Sequence, residues 1–265
     1  TVRVNTNARV IFKLPDWIEA IDVEPTLGVK EYSFRAKPME QPGRRTATIS
    51  VETADVSAKT VEVTQISVGE NMPQPCGMWT FDNPGDLLAG SGLSSLYGAK
   101  KTQNGVSRTS TLEEAGIAPI AEGPEEGNGA VSVPKDSYLW MSTNAGTDIL
   151  PDYTIMVDIR PETLDGFNAI YNSRGDISHD GAIFIKNGQI GYNDKGLGYN
   201  GELTPSKWHR VVMVLRDNYI HIYIDGKKVG QSNAPFEEHW ALHPDMLFFA
   251  DDDGEEVRTD VAEIR

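Results

Sequence analysis

From Thr46 to Val51 the chain reads Thr-Ala-Thr-Ile-Ser-Val, and the same period of two returns in Thr60–Thr64, Tyr153–Ile159 and Tyr219–Ile224. Side chains of a strand point alternately to opposite faces, so this alternation, filled with β-branched residues, predicts half-buried strands. Helical spacing of apolar residues is nearly absent; one short helix is expected near Leu112–Ala115, inside a loose Glu/Gly/Pro/Ala-rich loop over 112–129. After Ile224 comes Asp225-Gly226, a pair that tolerates the positive φ of a two-residue hairpin turn, and Lys227-Lys228-Val229 returns. Strands punctuated by Gly, Pro and Asn make the expected fold class all-β, built as sandwiches.

A chain of 265 residues accommodates two such units, and 39% hydrophobic residues suffice for packed cores. The net charge of −15 argues against nucleic acid and anionic membranes as partners. Residues 1–68 are balanced, with nine Lys/Arg and nine Asp/Glu, so the excess acid lies wholly beyond them. Cys76 is the sole cysteine, which precludes an intrachain disulfide, and no apolar run has the 18 or so residues of a membrane helix. The first residue is Thr1, so a signal or lipid anchor is expected to have been trimmed. The break between units is expected over 69–77, where Pro73, Pro75 and Gly77 give a short, stiff linker.

The first unit, 1–68, resembles the BACON module of secreted Bacteroidetes proteins, an immunoglobulin-like sandwich. The likeness lies in Leu14-Pro15-Asp16-Trp17-Ile18, Gly43-Arg44-Arg45-Thr46-Ala47-Thr48-Ile49 and Lys59-Thr60-Val61-Glu62-Val63-Thr64-Gln65. The family's first strand is missing ahead of Val2-Arg3-Val4; Trp17 is expected in the core and the unit to act as a spacer. The second unit, 78–265, resembles the LamG-like, concanavalin A-type jelly roll of lectins and glucanases. It does so in Met78-Trp79-Thr80-Phe81-Asp82, Ala130-Val131-Ser132-Val133, Tyr138-Leu139-Trp140-Met141, Tyr153 to Pro161, Trp208 to Val214, Ile222 to Lys227 and Asp260-Val261-Ala262-Glu263-Ile264-Arg265. The resemblance implies an extracytoplasmic bacterial protein, periplasmic or at the cell surface, with a neighbouring domain possible beyond residue 265.

Glucanases of that type carry E-x-D-x-x-E, and retaining hydrolysis needs two carboxyls about 5–5.5 Å apart. The nearest match, Arg258-Thr259-Asp260-Val261-Ala262-Glu263, has arginine where the first glutamate belongs, so no catalytic residue is expected. No G-x-S-x-G elbow or phosphate loop occurs. His239 and His243 are four apart, as zinc ligands on a helix are, but Pro244 follows and no third ligand is evident. Trp79 and Trp208 are expected in the core.

Sugar recognition calls for flat aromatic faces flanked by amides and carboxylates. Tyr192, Asn193, Asp194, Tyr199 and Asn200 offer that composition in a Gly-rich hairpin at a sheet edge, with Tyr171, Asn172, His179 and Asp180 expected on the same concave face. A Gly-rich hairpin also forms without any ligand. The run Asp251-Asp252-Asp253-Gly254-Glu255-Glu256 suits a structural Ca²⁺ held by Asp251, Asp253 and Glu255, or is a solvated turn. The jelly-roll resemblance adds Asp82 to that ligand set. These residues point to a non-catalytic protein that recognises a glycan or glycosylated partner, with a spacer or docking module, and then a glycoside hydrolase, as the alternatives.

Overall fold

The computed structural model describes residues 2–22, 24, 27–39, 43–53, 56–67, 75–143, 146, 148–235 and 239–265. The chain divides into two compact units, Thr1–Pro73 and Gln74–Arg265. Most of the expected linker, 69–74, lies outside the described residues.

In the first unit, β1 (Val2–Thr6), β2 (Ile11–Lys13), β3 (Ile18–Asp22), β4 (Gly28–Ala36), β5 (Gly43–Thr53) and β6 (Val56–Ser67) form two antiparallel sheets, ordered β1-β4-β3 and β2-β5-β6. Phe12 of one sheet meets Tyr32 and Phe34 of the other at ring-centroid distances of 4.8 and 5.1 Å, closing a small sandwich over Val10, Ile18 and Ile49. Trp17 departs from its expected core position. It is half-buried, and the Arg45 guanidinium stacks over its ring at 4.4 Å.

The second unit begins with β7 (Gly77–Met78), β8 (Ser91–Gly92), β9 (Ser95–Thr102), β10 (Gly105–Thr109), β11 (Ala118–Ile120), β12 (Ala130–Val133) and β13 (Ser137–Ser142). It continues with β14 (Tyr153–Pro161), β15 (Phe167–Asn172), β16 (Ile183–Lys186), β17 (Gln189–Tyr192), β18 (Gly198–Asn200), β19 (His209–Arg216), β20 (Tyr219–Ile224), β21 (Lys227–Gln231), β22 (Asp245–Phe248) and β23 (Thr259–Ile264). An eight-stranded sheet, β10-β9-β13-β22-β15-β16-β17-β18, and a seven-stranded sheet, β11-β12-β23-β14-β19-β20-β21, enclose one apolar core. Leu139, Ile170, Ile183, Ile185 and Ile190 come from the first sheet, and Ile155, Val157, Val211, Met213, Ile222 and Val261 from the second. The fold is an all-β sandwich architecture, as the alternation dictates.

The Asp225-Gly226 turn forms as expected, with φ of 50° and 79° joining β20 to β21. The opening segment meets the last strand where Trp79 and Ile264 exchange both backbone hydrogen bonds, each at 2.9 Å. No helix forms at Leu112–Ala115. The segment is a series of turns closed by Gly116 N–H to Glu113 O and Ile117 N–H to Leu112 O, with Leu112 and Ala115 plugged into the core. Among the described residues no helix is long and apolar enough to cross a membrane.

Candidate functional site

On β15, β16 and β18, Phe167, Phe184 and Tyr199 take positions opposite to core-facing Ile183, Ile185 and Ile190, so their rings meet on the outer face of the eight-stranded sheet. Phe167 meets Phe184 and Tyr199 edge-on at 6.1 and 5.9 Å. Tyr192, at the end of β17, packs against the core rim, stacks with Phe184 and lies 4.4 Å from the His239 ring. The hairpin can bring these rings together because residue 191 is glycine: a Cβ there would stand 1.7 Å from Gly198 O.

These rings wall a groove of about 650 Å³ whose remaining lining is Asp180, Asn193, Asp194, Asp252, Asp253 and Glu255. Two sets of residues that the sequence suggests separately, the aromatic hairpin and the acidic loop, are therefore one site. Asp251 holds it together. Its carboxylate is fully buried; Oδ1 accepts the Gly181 N–H at 2.9 Å, and Oδ2 accepts those of Asp253 and Glu255 at 3.2 and 3.4 Å. The Ala169 N–H donates to Glu255 O at 2.8 Å, anchoring the loop to β15, and the Tyr192 hydroxyl donates to Asp180 Oδ2 at 3.0 Å.

Crowding of like charge dominates the electrostatics. Burial raises the Glu255 carboxyl to about 7, helped by Asp253, Asp251, Asp180 and Asp252. Asp180 is also raised by burial, eased by the Tyr192 hydroxyl and reinforced by Asp251. For Asp251 burial pushes upward too, but the hydrogen bonds from Gly181 and the 253–255 loop outweigh it and the carboxyl is lowered. The donor set fits Ca²⁺ in kind: carboxylate oxygens of Asp251, Asp253 and Glu255, and separately of Asp180, Asp251 and Asp252, lie within 4.8 Å of one another. Asp251 already accepts three N–H groups, which leaves Asp180, Asp252, Asp253 and Glu255 with the greater free acceptor capacity.

Several expected site residues lie elsewhere. Tyr171 is wholly buried between the sheets, its hydroxyl 2.8 Å from that of Tyr153, because its side of β15 faces the core. Asn172 is buried as well and works locally, its Nδ2 donating to His179 O and its Oδ1 accepting the Arg174 N–H. His179 is exposed but engaged with Ser178, and Asn200 turns inward to donate to Leu197 O; neither lines the groove. Asp82 is not near the acidic loop: it accepts the Gly129 N–H and lines a separate cavity.

That second cavity, about 530 Å³, lies against the seven-stranded sheet and includes Trp208, which is half-buried rather than core, with Arg160 4.9 Å above its ring. Its cross-strand carboxylates Asp158 and Glu263 both accept from Arg210, Asp158 in bidentate fashion at 2.7 and 2.6 Å and Glu263 at 2.8 Å. Both carboxylates are thus committed to one guanidinium. The other acid of the near-motif, Asp260, is likewise bound by Arg160 at 3.0 Å. His209 offers no base: its Nε2 accepts the Thr204 N–H at 2.8 Å, so Nδ1 carries the proton and donates to Asp225. Among the described residues, the clusters able to hold a metal include neither His239 nor His243. Trp240 is fully buried in the core, while Trp140 is half-buried and donates to Asp245.

No protein-family model matches the chain, and no curated protein does. Among solved structures it is similar to domain 4 of AbnA, a GH43 extracellular arabinanase from Geobacillus stearothermophilus in complex with arabinotriose. The TM-score is 0.46 at 14% identity, over 71% of this chain and 90% of that one. It is also similar to the ligand-binding domain of botulinum neurotoxin serotype D in complex with N-acetylneuraminic acid, with TM-score 0.36 and 13% identity over 63% of this chain and 46% of that one. For a sialidase of Trypanosoma rangeli the TM-score is 0.40 at 12% identity, over 63% of this chain and 29% of that one.

Proposed function

We propose that this chain is a non-catalytic carbohydrate-recognition protein whose second unit, the jelly roll resembling LamG domains, binds a glycan or glycosylated partner in the aromatic groove. The observation that carries the reading is the convergence of Phe167, Tyr192 and Tyr199, backed by the buried Phe184, with Asn193 and the acids in one open groove. Ring faces take the apolar C–H face of a pyranose, and the amide and carboxylates take its hydroxyls. The acidic loop, with Asp253 and Glu255 as principal ligands, holds a Ca²⁺ that orders the rim. In this reading the BACON-like unit is a spacer and the protein works outside the cytoplasm, at a bacterial cell surface or in the periplasm.

Affinity electrophoresis of the full chain against a polysaccharide panel, in calcium and in EDTA, tests this. Retardation by a polymer, lost on Tyr192→Ala or Tyr199→Ala, is the expected result. Retardation that survives both substitutions, or none with any polymer, sinks the reading and leaves a spacer or docking module. One observation favours a hydrolase as a second reading: a carboxyl near 7, as Glu255 has, suits a general acid. Release of reducing ends that depends on Glu255 would establish it.

A further inference from the structure

We propose that the groove selects an amino sugar, its aromatic wall taking the sugar ring and Asp180, backed by Asp194, taking the ammonium group. This rests on the glycan reading above and specifies the charge its ligand carries. The acids alone would make only a solvated negative patch; the ring wall beside them makes a place for a sugar. Tyr192 links the two. It is part of the aromatic wall, and its hydroxyl donates to Asp180 Oδ2 at 3.0 Å, so a pyranose resting at this wall carries a ring substituent next to that carboxylate.

Among the described lining residues Asp180, Asp194, Asp252, Asp253 and Glu255 are acidic and none is Lys or Arg. A uronic or sialic carboxylate entering here meets five carboxylates against the ammonium of Lys186, and a neutral sugar leaves that excess of negative charge unrelieved. The protein itself shows that an ammonium settles beside these rings: Lys186 Nζ lies 4.4 and 5.2 Å from the Phe167 and Tyr199 centroids.

Calorimetry of the full chain with three probes tests the selection: a β-1,4-linked glucosamine pentamer, its N-acetylated counterpart and pentagalacturonate, at about pH 6.5, low salt and in EDTA. A partly screened ion pair predicts about tenfold tighter binding of the glucosamine pentamer than of the acetylated one, and no binding of the galacturonate. Raising salt to about 0.3 M should collapse the preference in the unmodified chain, where folding is not in question. Asp180→Asn, which keeps an acceptor for Tyr192, should bring the glucosamine pentamer down to the affinity of the acetylated one. Equal affinities, a preference for the galacturonate, or a preference that appears only with calcium would overturn charge selection while leaving glycan recognition standing. Failure of all three pentamers, together with a negative polysaccharide panel, would overturn both.

Discussion

Asp251 is the single side chain whose loss should both loosen the second unit and dismantle the groove. In Asp251→Ala the buried Gly181 N–H loses its acceptor, which costs about 1–3 kcal/mol, and the longer bonds to the Asp253 and Glu255 N–H groups are taken over in part by water. Relief of repulsion with neighbouring carboxylates offsets some of this, leaving a net loss of about 2–3 kcal/mol. For a unit of this size that lowers Tm by roughly 4–12 °C. Asp251→Asn keeps one acceptor but turns an amide donor toward the remaining donors, so about half the loss is expected. Thermal unfolding followed by tryptophan fluorescence reads it, because Trp79, Trp140, Trp208 and Trp240 lie in the second unit and only Trp17 in the first. The sign with pH is fixed as well. The folded carboxyl is lowered, so its stabilisation is present above the ordinary aspartate range and disappears as the pH falls through the lowered value. A Tm change under about 1 °C at neutral pH, or a deficit that grows on acidification, would refute the clamp.

Other measurements follow from the same geometry. The Tyr153 hydroxyl donates to Trp240 O, so it accepts from Tyr171; Tyr171→Phe should cost about 1 kcal/mol, and Tyr153→Phe, which strands two polar groups, about 2–3 kcal/mol in urea unfolding. Calcium affinity should fall as the pH drops through about 7, because protonated Glu255 cannot ligate; calorimetry at pH 6 and 8 checks this. Burial holds His239 down at about 4, below its unfolded value near 6.5, so its contribution to stability is full above about pH 6.5 and lost as the pH falls toward 4; His239→Gln should flatten that slope. Gly191→Ala should break the β17–β18 hairpin and abolish any glycan binding while leaving the first unit's transition unchanged.

Local chemistry was enough for the elements. Period-two alternation located β5, β6, β14 and β20, and Asp225-Gly226 specified its turn, because strand pattern and turn φ depend on neighbouring residues alone. It was also enough to single out Tyr192, Tyr199, Asp180 and Glu255, which line the groove. It could not say which face of β15 meets solvent: Phe-Asn-Ala-Ile-Tyr-Asn is apolar or aromatic on both sides, so Phe167 looked no different from Tyr171. Phe184 carried no signal at all, being an ordinary apolar strand residue until its outward neighbours are known. Trp208 read as core and turned out half-buried for the same reason, since alternation assigns a side only when one face is plainly polar.

The sequence by itself determined an all-β chain, its excess acid and the chemical types available for a site. Only the tertiary structure decided which of them meet. Pairing of β22 with β15 lays the loop after β22 beside the loop before β16, so Asp251 reaches the Gly181 N–H across seventy positions while Asp82 ends in another cavity. Such adjacency is set by strand order between distant segments, through burial of a shared core, and no local pattern encodes it.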